Sequence, residues 1–295
     1  MAILPKKNGL QGAQSMDKWI VATLLYLTVL IGGFTFYDEF VSEDRPSASA
    51  EAAHAGGENH AEATGGESHG HQGEAQHGSH SEVNVFVQSD EKELQIFLKD
   101  KDGNPVEHLE VNHEKLLHFI VVDERLQQYH HLHPEQTGKG EFRIANPLPA
   151  GFYKAFVDIK PTNMAYKVAP VPFVVGKPSM STGEHAGLKP DTSFTRTVDG
   201  ENAKLELSEL RPNVPVTLQF ELDQTNLTPY LGAMGHVVIL DEHAQTFLHV
   251  HPANEEEPVF ETQFTQPGVY KIWAEFKQGG TVRAFPYVVE IKGEN

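Results

Sequence analysis

The sequence predicts an all-β protein in which two tandem β-sandwich domains follow one membrane-spanning helix and a disordered tether. Three observations predict it. The block from His118 to Val175 recurs as His236 to Val289, which marks two copies of one unit. After residue 38 apolar residues alternate with the period of two that a strand requires, and no segment carries a helical stripe. Ahead of both copies lie nineteen residues without a charge, enough for a helix to cross a hydrocarbon core about 30 Å thick.

Residues 1–18 carry Lys6, Lys7 and Lys18, and the uncharged run WIVATLLYLTVLIGGFTFY occupies 19–37. Asp38, Glu39, Glu43 and Asp44 follow it. The lysine bias places the N-terminus in the cytoplasm and the remainder outside, as a single-pass protein of the cell membrane. Ala48-Ser49-Ala50 lies well beyond the apolar run, too far for a signal-peptidase site, so the run reads as an uncleaved signal-anchor.

Residues 38–81 change character. The stretch EAAHAGGENHAEATGGESHGHQGEAQHGSHSE has no large apolar residue and cannot pack a core, which makes it a disordered spacer. It carries His54, His60, His69, His71, His77 and His80 and no lysine or arginine. Neutral imidazoles on such a chain chelate Cu(II), Zn(II) or Ni(II), copper most tightly. A solubilising linker is the plainer alternative.

A formal charge of -18 leaves no basic surface for nucleic acid. The absence of cysteine excludes disulfides, thiolate nucleophiles and a blue-copper centre, which needs a thiolate. No serine–histidine pairing and no glycine-rich phosphate loop announces itself, so a binding protein rather than an enzyme is expected, without an organic cofactor. Asp158 or Glu135 would serve as the general base of a metal hydrolase only if folding brought one beside an open metal position.

The two copies align closely. LHFIVVDE (117–124) matches GHVVILDE (235–242), GFYKAFVDIK (151–160) matches GVYKIWAEFK (268–277), and APVPFVVGK (169–177) matches RAFPYVVEIK (283–292). Alternation over 93–98, 203–207 and 216–220, with turns at Asp102-Gly103 and Pro267-Gly268, gives about seven strands per copy. That count in about 95 residues suits an immunoglobulin-like β-sandwich. The domains are expected at 82–177 and 195–294, separated by a linker at 178–194. Tyr153 and Tyr270 resemble the tyrosine that anchors a sandwich corner. Phe156 and Trp273 read as core.

The sharpest feature is a repeated histidine spacing. His131 and His133 follow His118 by 13 and 15 residues, and His249 and His251 follow His236 by the same intervals. A four-residue hairpin turn would set His118 across from His131; a six-residue turn would set it across from His133. Either places all three on one face, whereas a five-residue turn would separate them. Opposed Cβ atoms lie about 4.5–5.5 Å apart, so each trio can converge on one zinc or copper ion. One ion per domain is the expectation, released as pH falls near about 6.5. Water, a carboxylate or a methionine would fill the fourth position; Met164 or Met234 would be a soft ligand favouring Cu(I), and His130 a further one. His108, His113 and His130 have no counterpart in the second copy. The competing expectation is that the histidines hydrogen-bond to backbone and fix turns, in a metal-free module for adhesion or assembly with a cell-envelope protein.

HEKLLHFIVVDE with YHHLHPE, and YLGAMGHVVILDE with FLHVHP, resemble the exported YtkA-like, immunoglobulin-type domains of Gram-positive bacilli. The similarity spans both domains and not the tether. It implies a membrane-tethered ectodomain of a family sometimes associated with copper handling, with His118, His131, His133, His236, His249 and His251 as the positions to test.

Overall fold

The computed structural model describes residues 81–179, 187–250, 252 and 257–293. The apolar run at 19–37, the six tether histidines and His251 lie outside the described residues. Among those described, no helix is long and apolar enough to cross a membrane, and every regular element is a strand.

The first copy contains β1 (Asn84–Ser89), β2 (Glu93–Lys99), β3 (Leu109–Glu110), β4 (Leu117–Asp123), β5 (Tyr129–Leu132), β6 (Glu135–Gly138), β7 (Glu141–Ala145), β8 (Gly151–Pro161) and β9 (Val171–Val175). The second contains β10 (Thr195–Val198), β11 (Glu201–Leu207), β12 (Pro215–Leu222), β13 (Leu227–Thr228) and β14 (His236–Asp241). It continues with β15 (Phe247–Val250), β16 (Val259–Gln263), β17 (Gly268–Gln278) and β18 (Thr281–Ile291).

Each copy has two antiparallel sheets. In the first, β1-β2-β7-β6 faces β3-β8-β4-β5, with β9 also paired to β8. In the second, β10-β11-β12-β16 faces β13-β17-β14-β15, with β18 also paired to β17. The hairpin β1-β2 against β7 corresponds to β11-β12 against β16, so the central order repeats. The copies differ at the edges: β6 extends the first sheet on one side and β10 the second on the other.

Period-two alternation explains where each strand's residues go. In β4, Leu117, Phe119 and Val121 enter the core of the first sandwich with Leu94, Ile96, Leu98 and Phe142. In β14, Val237 and Ile239 enter the second with Leu218, Phe220, Phe260 and Phe276. The opposite faces are buried as well. Ile120, Val122 and Phe156 of the first copy pack against Val238, Leu240 and Trp273 of the second. Tyr129 stacks on Trp273 at 4.8 Å between ring centres, and Phe156 on Phe247 at 5.1 Å. Tyr129 and Phe247 occupy equivalent positions, as do Phe156 and Trp273, so the two stacks are reciprocal. This is why β4 and β14 read as continuous apolar runs: each is covered on both faces, by its own sandwich and by the other copy.

The turn after each central strand sets the register. Asp123 Oδ1 accepts the backbone N–H groups of Gln127 and Gln128, both at 2.7 Å. Asp241 Oδ1 accepts those of Gln245 and Thr246 at 2.6 Å. Val122 pairs with Tyr129 and Leu240 with Phe247, which is the six-residue turn. Extending the first ladder sets His118 across from His133. The corner tyrosines behave as expected: Tyr153 Oη donates to Pro149 O at 3.0 Å and Tyr270 Oη to Gln266 O at 2.9 Å.

Candidate metal centre

The face shared by Ile120 and Val122 also carries His118, and its partner strand β5 presents Tyr129 and His131 on the same side. The second copy presents His236, Val238 and Leu240 on β14, with Phe247 and His249 on β15. Docking these two faces brings the histidines of both copies into one cluster at the end of the interdomain core. His118 and His236 are fully buried, and the side chains of His131 and His249 are 0% and 3% exposed. His118, His131 and His249 can hold a metal ion: each offers a ligand atom, all within 4.8 Å of one another.

Hydrogen bonds define which nitrogen each ring offers. His118 Nε2 lies 2.9 Å from Asn112 O, and His236 Nε2 lies 2.8 Å from Tyr230 O. A carbonyl only accepts, so Nε2 carries the proton and Nδ1 keeps its lone pair. Those carbonyls open equivalent tight turns. Asn112 and Lys115 exchange two backbone hydrogen bonds, as do Tyr230 and Ala233. The central pairs His113-Glu114 and Leu231-Gly232 all have positive φ, at 46°, 64°, 52° and 76°. Holding the non-glycine pair His113-Glu114 there costs backbone strain, and it sets the His113 ring 5.9 Å from that of His236.

The remaining polar contacts cross between the copies. His131 Nδ1 lies 2.5 Å from Glu275 Oε2, and His249 Nδ1 lies 2.8 Å from Asp158 Oδ2. Asp158 and Glu275 are equivalent, since each pairs across the ladder with the first histidine of its own copy. Each therefore orients the other copy's histidine and leaves Nε2 as the ligating atom. A carboxylate holding the far nitrogen of an imidazole raises its basicity toward a metal. His131 Nε2 then faces His118 Nδ1 at 2.9 Å. Two lone pairs at that separation require a proton or a cation between them. His133 adds a buried Nε2 that has no hydrogen-bond partner among the described residues.

Burial dominates the electrostatics. It pushes His118 down to about 4, His236 to about 3 and His133 to about 2. His249 falls well below the usual imidazole range for the same reason, with the neighbouring histidines adding to it. Asp158 is raised by desolvation, so it holds a proton longer than an exposed aspartate. These rings are neutral, and able to ligate, well below the pH of about 6.5 expected for free histidine. An ion held here should survive to correspondingly more acidic pH.

Several sequence expectations change. The first trio is brought together, with ring centres of His118, His131 and His133 separated by 4.6–5.2 Å. The cluster does not stop at the domain boundary, however, because the histidine faces of the two copies dock on each other. His130 lies on the opposite side of β5 from His131, since neighbouring strand residues alternate. Met164 and Met234 pack against the apolar cores of their own sandwiches. Asp158, considered as a general base, is instead hydrogen-bonded to His249. Glu275 is a site residue beyond the histidine pattern, and its signal in the sequence is an acidic residue at equivalent places, with Asp158, in two apolar strands. Glu275→Gln keeps the shape but removes the charge on which His131 leans, and should weaken metal binding by roughly 10–100-fold. Competition against a chromophoric chelator measures this; an unchanged affinity would remove the carboxylate from the site.

The family model described as a domain of unknown function (DUF8832) matches residues 70–177 and again 196–293, one match per sandwich. No curated protein matches the chain. Among solved structures, the crystal structure of chicken CNTN1 FN1-FN3 domains aligns at 9% identity over 70% of this chain and 66% of that one, with a TM-score of 0.20. None of these comparisons carries a signal specific to YtkA-like domains.

Proposed function

The chain belongs to the DUF8832 family, which it carries in two copies, and from the geometry of those copies we propose that it binds one divalent metal ion between them, as a membrane-anchored, extracytoplasmic metal-binding or buffering protein. The observation that carries the reading is the reciprocal exchange of carboxylates: Glu275 orients His131 and Asp158 orients His249 across the interface. Such an arrangement turns the Nε2 sides of rings from both copies toward one place. Charge supports a divalent ion. Neutral imidazoles with two carboxylates behind them sum to zero around M²⁺, whereas Cu(I) would leave a buried negative charge, which is costly. Zinc and Cu(II) both accept imidazole ligands. The tether histidines would act as a weaker outer store.

Titration of the protein with Zn(II) and Cu(II), compared with His131→Ala/His249→Ala, tests this. One tight equivalent lost in the double variant is expected, above weaker binding by the tether that both share. Identical isotherms would favour the metal-free module, a reading supported by the backbone hydrogen bonds of His118 and His236. The anchor is tested separately: protease added to intact cells should remove the sandwiches, and their protection would reverse the proposed orientation.

A further inference from the structure

We infer that His236 is the fourth ligand of the ion, which makes the site a closed four-histidine tetrahedron rather than an open three-histidine centre. This rests on the metal-binding reading above and specifies its coordination. The docked copies are related by an approximate twofold: His118 corresponds to His236, His131 to His249, and Asp158 to Glu275. An ion lying on that relation takes its ligands in pairs. His118, His131 and His249 are three members of two such pairs, and His236 completes the second.

The distances agree. With metal–nitrogen bonds of about 2.0–2.1 Å, each ring centre sits roughly 3.2 Å from a tetrahedral ion and roughly 5.2 Å from the others. The ring centres of His118, His131 and His249 form a nearly equilateral triangle with sides of 5.1, 5.2 and 5.4 Å. His236 stands over it at 5.7 Å from His249, 6.0 Å from His131 and 6.3 Å from His118. His236 stands outside the group whose ligand atoms lie within 4.8 Å of one another, and an inward shift of its ring completes the tetrahedron. His236 is oriented as His118 is, through Nε2 to the carbonyl six residues before it, leaving Nδ1 as the ligating atom. His133 is the competing candidate. Its ring contacts among the described residues run to His118 and His131 of its own copy and to Tyr230, so it flanks one edge of the triangle instead of capping it.

A closed site has a functional consequence. Catalytic metal centres keep a position for water or substrate, and structural or storage centres do not. Four imidazoles would leave no such position, so the ion is held or handed on rather than used for hydrolysis.

The full-length protein loaded with one equivalent of Co(II) provides the test. Intense tetrahedral visible bands that do not change with added azide are expected, while cobalt on the tether gives only weak octahedral absorption. In His236→Ala the cobalt should remain bound, azide should now shift the bands, and free imidazole should restore the original spectrum. His236→Gln serves if the alanine variant does not fold. Azide shifting the bands of the unmodified protein, or a spectrum unchanged by loss of His236, would overturn the four-histidine assignment while leaving the site itself standing. Absence of any tetrahedral cobalt species from the unmodified protein would instead overturn the metal-binding reading beneath it.

Discussion

Acidifying the metal-free protein from about pH 7 to about pH 4 should destabilise it steeply, beginning near pH 6.5. The sign follows from burial. His118 and His236 are held down to about 4 and about 3 in the folded chain, and His249 lies well below the ordinary value. In the unfolded chain each returns to about 6.5. Between those limits the unfolded state binds more protons than the folded one, so stability is lost as pH falls. Each group contributes up to about 1.4 kcal/mol per pH unit. Asp158 acts in the opposite sense, because burial raises it, but it is one group against several. Urea midpoints measured with a chelator present should fall across this window and flatten in His118→Gln/His236→Gln. A midpoint independent of pH between about 6.5 and 4.5 would show that these rings are not buried neutral.

Trp273→Ala should cost about 3–5 kcal/mol, the usual range for emptying an aromatic core position. Trp273 is 3% exposed and lies flat against Tyr129 of the other copy, with ring planes 14° apart. It shares the interdomain layer with Ile120, Val122 and Phe156 of the first sandwich. The loss therefore falls on docking more than on either fold. Denaturation should change from one transition toward two. Metal affinity should drop although none of the clustered histidines is altered, since His118 and His131 come from one copy and His249 from the other. Retention of full affinity in a variant whose domains unfold separately would mean that one copy suffices to hold the ion.

The sequence by itself determined the strands, the repeat and the face on which the histidines stand. Those features are local. Alternation assigns faces, and Asp123 and Asp241 cap turns of a length that keeps His118 with His131, and His236 with His249. Even the histidine nitrogens that bond to Asn112 O and Tyr230 O answer to a partner only six residues away. What tertiary structure decided was where the histidine face goes. A strand such as FIVVD reads as buried on both sides, but its period does not say whether the second cover is a loop, a partner protein or the other copy. Only docking put Glu275 beside His131 and Asp158 beside His249, residues 144 and 91 positions apart in the chain. Local pattern cannot encode a contact between two surfaces that are each complete without it. The stacking of Tyr129 on Trp273 and of Phe156 on Phe247 chose the pairing, and that choice brought His118, His131 and His133 together with His236 and His249.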